Sequence, residues 1–438
     1  MTGTTILSLP NELLVAIALA GQEERFAETF SSGSHWQTQS TETSKSEWTL
    51  SRVSQRFRSV IVDTPSLWTL AEGDLDDERS VQVFRLYLQR SQTCKISITL
   101  RQSRESKLAY DLLLKRVDSI AAHFSHLQRL RIAVWEWRTG LESTFRDAAA
   151  PQLEYLEVVN IARKSGEMGV LFSSGAPKLD VLRVENLKLD ASAAPWAASL
   201  MHLELLRYPI DTHTRALPPI TRQCPGLVRL HLDTYLYTDV ARVHIATLEF
   251  LHVSIMAGAT HYLLNVVDLF DTPALTELWI EGSHGDQIGA LFNSTPPLHV
   301  SFPVLTSLSF VYRDVCGCDA SGGLSYSPIT QSPSQLFPML ASLTLVNECF
   351  TPDLIRHLLG SGAQPWPFLN RVAIYLVDYS EEEEPQSLQD VRRAFEDAEN
   401  ARRERGDPLP RVALGLSRLL FRDWDADWSD SVVLEMIW

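Results

Sequence analysis

One arrangement of apolar positions, Leu-x-x-Leu-x-apolar, returns ten times along the chain. Its anchors are Leu127/Leu130/Ile132, Leu153/Leu156/Val158, Leu179/Leu182/Val184, Leu200/Leu203/Leu205 and Leu227/Leu230/Leu232. They continue as Leu248/Leu251/Val253, Leu275/Leu278/Ile280, Leu305/Leu308/Phe310, Leu340/Leu343/Leu345 and Leu369/Val372/Ile374. Successive first anchors lie 26, 26, 21, 27, 21, 27, 30, 35 and 29 residues apart. Seven carry a proline two residues earlier: Pro151, Pro177, Pro225, Pro273, Pro303, Pro338 and Pro367. Residues two apart share one side of a strand, so the second and third anchors face inward and the residues between them face outward. The pattern predicts an α/β chain with one short strand and one return segment per unit, strand beside parallel strand.

That period is the signature of a leucine-rich repeat, in which stacked units bury a face that a single unit leaves open. The implied fold is an irregular solenoid with a parallel sheet over residues 125–380. The chain departs from the repeat pattern by lacking a regular Asn or Cys three residues past the last anchor. Asn160, Asn186 and Asn347 stand two past it instead, so an asparagine ladder is not expected. Helical returns are predicted at 169–172, 262–270, 288–292 and 353–359, whereas units of 21 residues leave room only for extended or single-turn returns. Residues 312–337, with Cys316-Gly317-Cys318, read as a loop insertion on one rim.

Ahead of the repeats, Val81, Phe84, Leu86, Tyr87 and Leu88 predict a helix, 95–100 a strand, and 108–124 an amphipathic helix. Behind them, Ser387-Leu388-Gln389-Asp390 opens a charged helix to about Arg405. Val412, Leu414 and Leu416 alternate as a closing strand. The tail, with Trp424, Trp428 and Trp438, is placed to cap the last unit.

The first 70 residues differ. Leu9-Pro10-Asn11-Glu12-Leu13-Leu14-Val15-Ala16-Ile17 predicts a helix with Pro10 at its first position and Leu13, Leu14 and Ile17 on one face. Leu50, Val53, Phe57 and Val60 form a second narrow seam, spaced 3, 4 and 3, stopped by Pro65. Between them, residues 21–47 read as an insertion, since nine of sixteen residues from Ser31 to Ser46 are Ser or Thr. Two such short helices cannot bury both apolar faces alone, which calls for a partner.

The order Leu-Pro-x-Glu-Leu-Leu, then Leu-Ser-x-Val-x-x-x-Phe-Arg, then Pro-x-Leu-Trp resembles an F-box. With the repeats behind it, the chain looks most like the F-box proteins with C-terminal leucine-rich repeats of mushroom-forming fungi. Ser54 and Phe57 stand where that family commonly has Cys and Trp. The resemblance implies a substrate-recognition adaptor of an SCF-type cullin–RING ubiquitin ligase. The matching positions Leu9, Pro10, Leu13, Leu14, Ile17, Leu50, Val53, Phe57 and Val60 would dock the Skp-type adaptor and through it the cullin. The repeats would hold an unknown target protein. The competing reading is a leucine-rich-repeat binding scaffold with no ligase role.

The segments expected are therefore 1–70 helical box, 71–124 linking helices and first strand, 125–380 repeats, and 381–438 closing helix and cap. Outward positions mix aromatic and charged groups, the composition of recognition surfaces. Tyr155, Arg183, Arg229, His231, Phe250 and Trp279 are the candidate target contacts, and His202, His231 and His252 fall on outward positions of three units.

Net charge of −15 argues against nucleic acid and anionic membrane as partners. No apolar run reaches the ~18 residues of a membrane span. Residues 13–20 end Ala18-Leu19-Ala20 like a signal cleavage site, but no Lys or Arg precedes them. With five scattered cysteines and no disulfide framework, cytoplasm or nucleus is expected. No phosphate-binding loop, His-Glu-x-x-His or Gly-x-Ser-x-Gly occurs. Cys316 and Cys318 lack a second ligand pair, and Asp423, Asp425 and Asp427 lack the Gly and Glu of a calcium loop. The sequence thus predicts no cofactor, no metal and no enzymatic activity.

Overall fold

The computed structural model describes residues 9–31, 46–102, 110–137, 139–162, 164–189, 194–207, 213–234, 242–255, 268–282, 291, 302–311, 336–346, 355–356, 366–377, 386–406, 411–417 and 433–434. The chain forms two compact units that divide between Leu200 and Met201.

The first unit opens with three helices, α1 (Asn11–Ser31), α2 (Ser46–Ser51) and α3 (Gln55–Val62). Of the insertion expected at 21–47, residues 32–45 lie outside the described residues, and the part before them is helical. The run after Gly21 is rich in good helix formers, and α1 continues through it to Ser31. The single seam from Leu50 to Val60 is corrected, because Ser54 accepts the Phe57 N–H at 3.2 Å and starts a new helix there. Pro65 both ends α3 and begins a 3-10 turn, Pro65–Trp68. Inside, Leu14, Ala18, Phe57, Ile61, Leu67 and Trp68 are sealed from solvent.

Strand β1 (Leu70–Asp74), helix α4 (Glu78–Ser91) and strand β2 (Ile96–Arg101) follow. Gly73 lets α4 close on the sheet, since a Cβ there would lie 3.0 Å from Leu100 and 3.3 Å from Phe84. Helix α5 (Tyr110–Asp118) stops short of the predicted 124 and passes into a 3-10 turn, Ala121–His126. Next come β3 (Leu127–Val134), α6 (Thr139–Arg146), β4 (Tyr155–Asn160), β5 (Gly166–Met168), β6 (Val181–Glu185) and β7 (Leu187–Leu189). β1, β2, β3, β4 and β6 pair in that order, all parallel, while β5 pairs with β7. Ordered parallel pairing therefore starts two strands before the first Leu-x-x-Leu anchor. The predicted helix at 169–172 is not formed. The return there is irregular, and Phe172 instead joins Phe124 and Phe145 in an aromatic cluster with centroids 5.7–6.0 Å apart.

The second unit carries β8 (His202–Leu206), α7 (His213–Gln223), β9 (Arg229–Thr234), β10 (Val243–His244), β11 (Phe250–Ile255) and β12 (Phe270–Asp271). It continues with β13 (Glu277–Glu281), β14 (Ser307–Val311), β15 (Ser342–Val346), β16 (Arg371–Val377), α8 (Gln386–Arg405), β17 (Arg411–Ser417) and β18 (Val433–Leu434). β8, β9, β11, β13, β14, β15, β16 and β17 pair in parallel, and β18 closes antiparallel on β17. β10 pairs separately with β12. The helices predicted at 262–270, 288–292 and 353–359, the loop 312–337 with its cysteines, and Trp424, Trp428 and Trp438 lie largely or wholly outside the described residues.

The recurring prolines have a structural reason. In each unit the first anchor's N–H bonds the carbonyl three residues back, and the proline occupies the second position of that turn. The seven bonds run from Leu153 to Ala150, Leu179 to Ala176, Leu227 to Cys224, Leu275 to Thr272, Leu305 to Phe302, Leu340 to Phe337 and Leu369 to Trp366, at 3.0–3.4 Å. The residue that accepts is buried in every case, so the turn pins a core side chain just before the strand begins. Register then aligns like with like. Leu230, Leu251, Leu278, Leu308 and Leu343 lie side by side, as do Leu232, Val253, Ile280, Phe310 and Leu345. Both rows are almost fully buried.

One expectation fails in the opposite direction. Asn160 donates to the Lys164 and Asn186 carbonyls at 2.8 and 3.2 Å, while Asn186 donates to the Asn160 carbonyl at 3.1 Å. Two adjacent turns are thus laddered by asparagine despite the shifted spacing.

Candidate functional site

Helices α1 to α3 seal some of their apolar side chains and leave others in water. Leu14 and Ala18 turn inward, whereas Leu13 and Ile17, one helical turn apart, are 49% and 45% exposed. Val53, in the break between α2 and α3, is 52% exposed. Leu9, Leu50 and Val60 are half-buried and Pro10 is exposed. Two of the nine box positions are corrected. Leu14 and Phe57 are sealed within the chain at 0% and 1% exposure, so they hold the helices together instead of meeting a partner. The placement of α1 against α3 is fixed by Arg56, whose guanidinium donates to the Leu9 carbonyl at 2.7 Å and to Asn11 Oδ1 at 2.8 Å.

Other side chains of this segment join it to the rest of the first unit. Trp68 donates to the Ile61 carbonyl at 2.9 Å, and its ring meets Trp48 and Tyr87 edge-on at 6.3 and 5.0 Å. Arg90 lies over its face at 4.4 Å. Trp48 Nε1 donates to the Tyr87 hydroxyl at 3.1 Å, the Tyr87 hydroxyl donates to Glu47, and Gln22 donates to the Leu67 carbonyl at 2.5 Å. The helical segment and α4 therefore share one core.

The outward rows of the first unit form a charge cluster. Register sets Arg131, Glu157 and Arg183 in one line across β3, β4 and β6, with Arg129, Tyr155 and Val181 in the next. Glu157 lies 2.8 Å from Arg131 and 3.5 Å from Arg183, and it accepts the Tyr155 hydroxyl at 2.7 Å. Burial first, and then the Glu157 carboxylate, hold the Tyr155 phenol well above its ordinary range. Tyr155 is half-buried, and Arg183 is 7% exposed and committed to Glu157, so Arg183 is corrected from a target contact to a structural ion-pair partner.

The other four candidate target contacts gather in the second unit. Arg229, Phe250 and Glu277 share one outward row, and His231, His252 and Trp279 share the next. The Arg229 guanidinium sits 5.2 Å from the Phe250 ring centre. His231 and His252 stack at 3.9 Å and 11°. Trp279 lies 6.0 Å from His252 and 6.5 Å from Phe250, and its indole N–H donates to Glu277 at 2.6 Å. In the third row Glu281 accepts Ser254 at 2.7 Å and lies 3.2 Å from His252.

A second surface was missed. Val304, Met339 and Phe368 each precede a first anchor, at the exposed third position of three consecutive turns, and are 41%, 42% and 52% exposed. The signal was available: a large apolar residue between the proline and the anchor leucine, where other units have Gln152, Lys178 or Gly226. Among the described residues, no group of three or more His, Cys, Asp or Glu side chains is arranged to hold a metal ion, and no helix is long and apolar enough to cross a membrane.

Comparison with protein-family models gives no match, and comparison with curated proteins gives none either.

Proposed function

We propose that the chain is the substrate-recognition subunit of an SCF-type cullin–RING ubiquitin ligase. Its first three helices serve as an F-box and its Leu-x-x-Leu units as leucine-rich repeats that hold a target protein. The observation that carries this reading is the exposure of Leu13, Ile17 and Val53, three large apolar side chains on a helical segment that seals Leu14, Ala18, Phe57 and Ile61 inside. Large apolar groups left in water on a defined segment mark interaction sites. Covering three half-exposed side chains would contribute about 1 kcal/mol each. In this reading Leu9, Pro10, Leu50 and Val60 border the contact. The outward side chains of the second unit are the target-holding surface, and the chain acts by raising the target's effective concentration near the conjugating enzyme. It carries out no chemistry itself, and its place of work is the cytoplasm or nucleus.

The core shared by Trp48, Trp68 and Tyr87 favours the second reading, a repeat scaffold whose first helices only cap it. Co-purification of the full chain with a Skp-type adaptor separates the two. A stoichiometric complex supports the ligase reading, and elution of the two as free proteins leaves the scaffold.

A further inference from the structure

The second unit's outward rows are strongly polarised. Between β8 and β13 they carry Glu204, Asp233, Glu277 and Glu281 against one guanidinium, Arg229, with His202, His231 and His252 among them. Glu281 and Asp233 are all but buried, which makes their charge costly unless cations or donors face them. Phe250 and Trp279 stand half-exposed beside these carboxylates. Their negatively polarised faces attract cations, and Phe250 already takes the Arg229 guanidinium on one side. On the next strand the residues in register with Glu277 and Trp279 are Ser307, which is half-buried, and Ser309, which is buried. Glu277 is held in place by the Trp279 indole N–H through one oxygen, and a carboxylate retains further acceptor positions.

From this we infer that the face formed by Phe250, Trp279 and Glu277, backed by Glu281, is a binding site for a cationic side chain of a partner protein, an arginine or lysine in an extended segment. The inference rests on the reading of this sheet face as the target-holding surface and specifies the chemistry that it selects. The ring faces contribute a sequence-tolerant attraction and Glu277 supplies the charge-assisted hydrogen bond, whose fork geometry favours guanidinium over ammonium.

The test uses the full chain alone and two fluorescein-labelled hexapeptides, one with two arginines and one with two glutamates. Anisotropy titration is expected to show tighter binding of the arginine probe. Trp279→Ala and Glu277→Gln should each weaken it about five-fold, whereas Glu404→Gln, on the exposed end of α8, should leave it unchanged. Trp279→Phe, which keeps an aromatic face, should retain most of the affinity, and thermal melts followed by circular dichroism verify that each variant is folded. Equal binding of the two probes, or equal losses in Glu277→Gln and Glu404→Gln, would overturn the site. No adaptor enters the measurement, so failure of adaptor docking leaves this result standing and the reverse also holds.

Discussion

Glu157 Oε2 lies 2.8 Å from Arg131 Nε, and the two side chains are 1% and 7% exposed. Arg183 faces the other oxygen at 3.5 Å. A carboxylate between two nearly buried guanidiniums offsets the cost of keeping both from water, and removing one partner of such a group is expensive. Glu157→Ala should therefore destabilise the chain by about 3–5 kcal/mol in urea denaturation. Replacing all three with apolar residues of similar volume should be far less costly than the single change, because no charge is left uncompensated.

Asn160 is the keystone of the turn between β4 and β5. Its amide donates to two carbonyls and its Oδ1 accepts the Trp137 N–H at 3.3 Å. Asn160→Ala should cost about 2–3 kcal/mol, the penalty of buried groups left unsatisfied. Asn160→Asp keeps the acceptor but aims a carboxylate at the carbonyls of Lys164 and Asn186. It should be at least as destabilising at neutral pH and recover as the pH falls and the carboxyl gains a proton to donate. Thermal melts of both variants across pH distinguish this from a simple loss of packing.

His123 Nδ1 and His126 Nε2 are 3.2 Å apart in the 3-10 turn before β3. Burial lowers both imidazole pKa values below the ordinary value, and His126 lowers that of His123 further. A base with a depressed folded-state pKa binds protons more readily when unfolded, so stability is present above about pH 6.5 and declines as the pH falls toward the folded values. Urea midpoints measured from about pH 8 to 5 should drop on the acid side, and His123→Asn should reduce that drop relative to the wild type.

The strands were legible because their signal is redundant. Anchor leucines, a period-two alternation and a turn proline repeat together, and each Pro-x-Leu closes the same hydrogen-bonded turn. Helix α7 was not legible. It runs through Pro218 and Pro219, each of which removes a backbone donor, and burial of Leu217 and Ile220 outweighs that loss. Helix α6 was missed because Leu141 and Phe145 alone mark its buried face, too few for a periodic pattern. For the candidate sites, spacing told which residues share a face but not which of them reach solvent. Leu13 and Leu14 are neighbours in sequence, yet one is exposed and the other sealed. Arg183 likewise sits on the outward side as expected, but the Glu157 beside it in register claims it.

The proposed adaptor contact is tested most directly by isothermal titration of a purified Skp-type adaptor into the full chain and into the triple variant Leu13→Asp, Ile17→Asp, Val53→Asp. All three side chains are about half exposed, so the variant should melt within a few degrees of the wild type. The account predicts saturable binding to the wild type and a loss of at least about 100-fold in the variant, since three apolar contacts become buried charges. Undiminished binding by a folded triple variant, or no binding by the wild type, would contradict it.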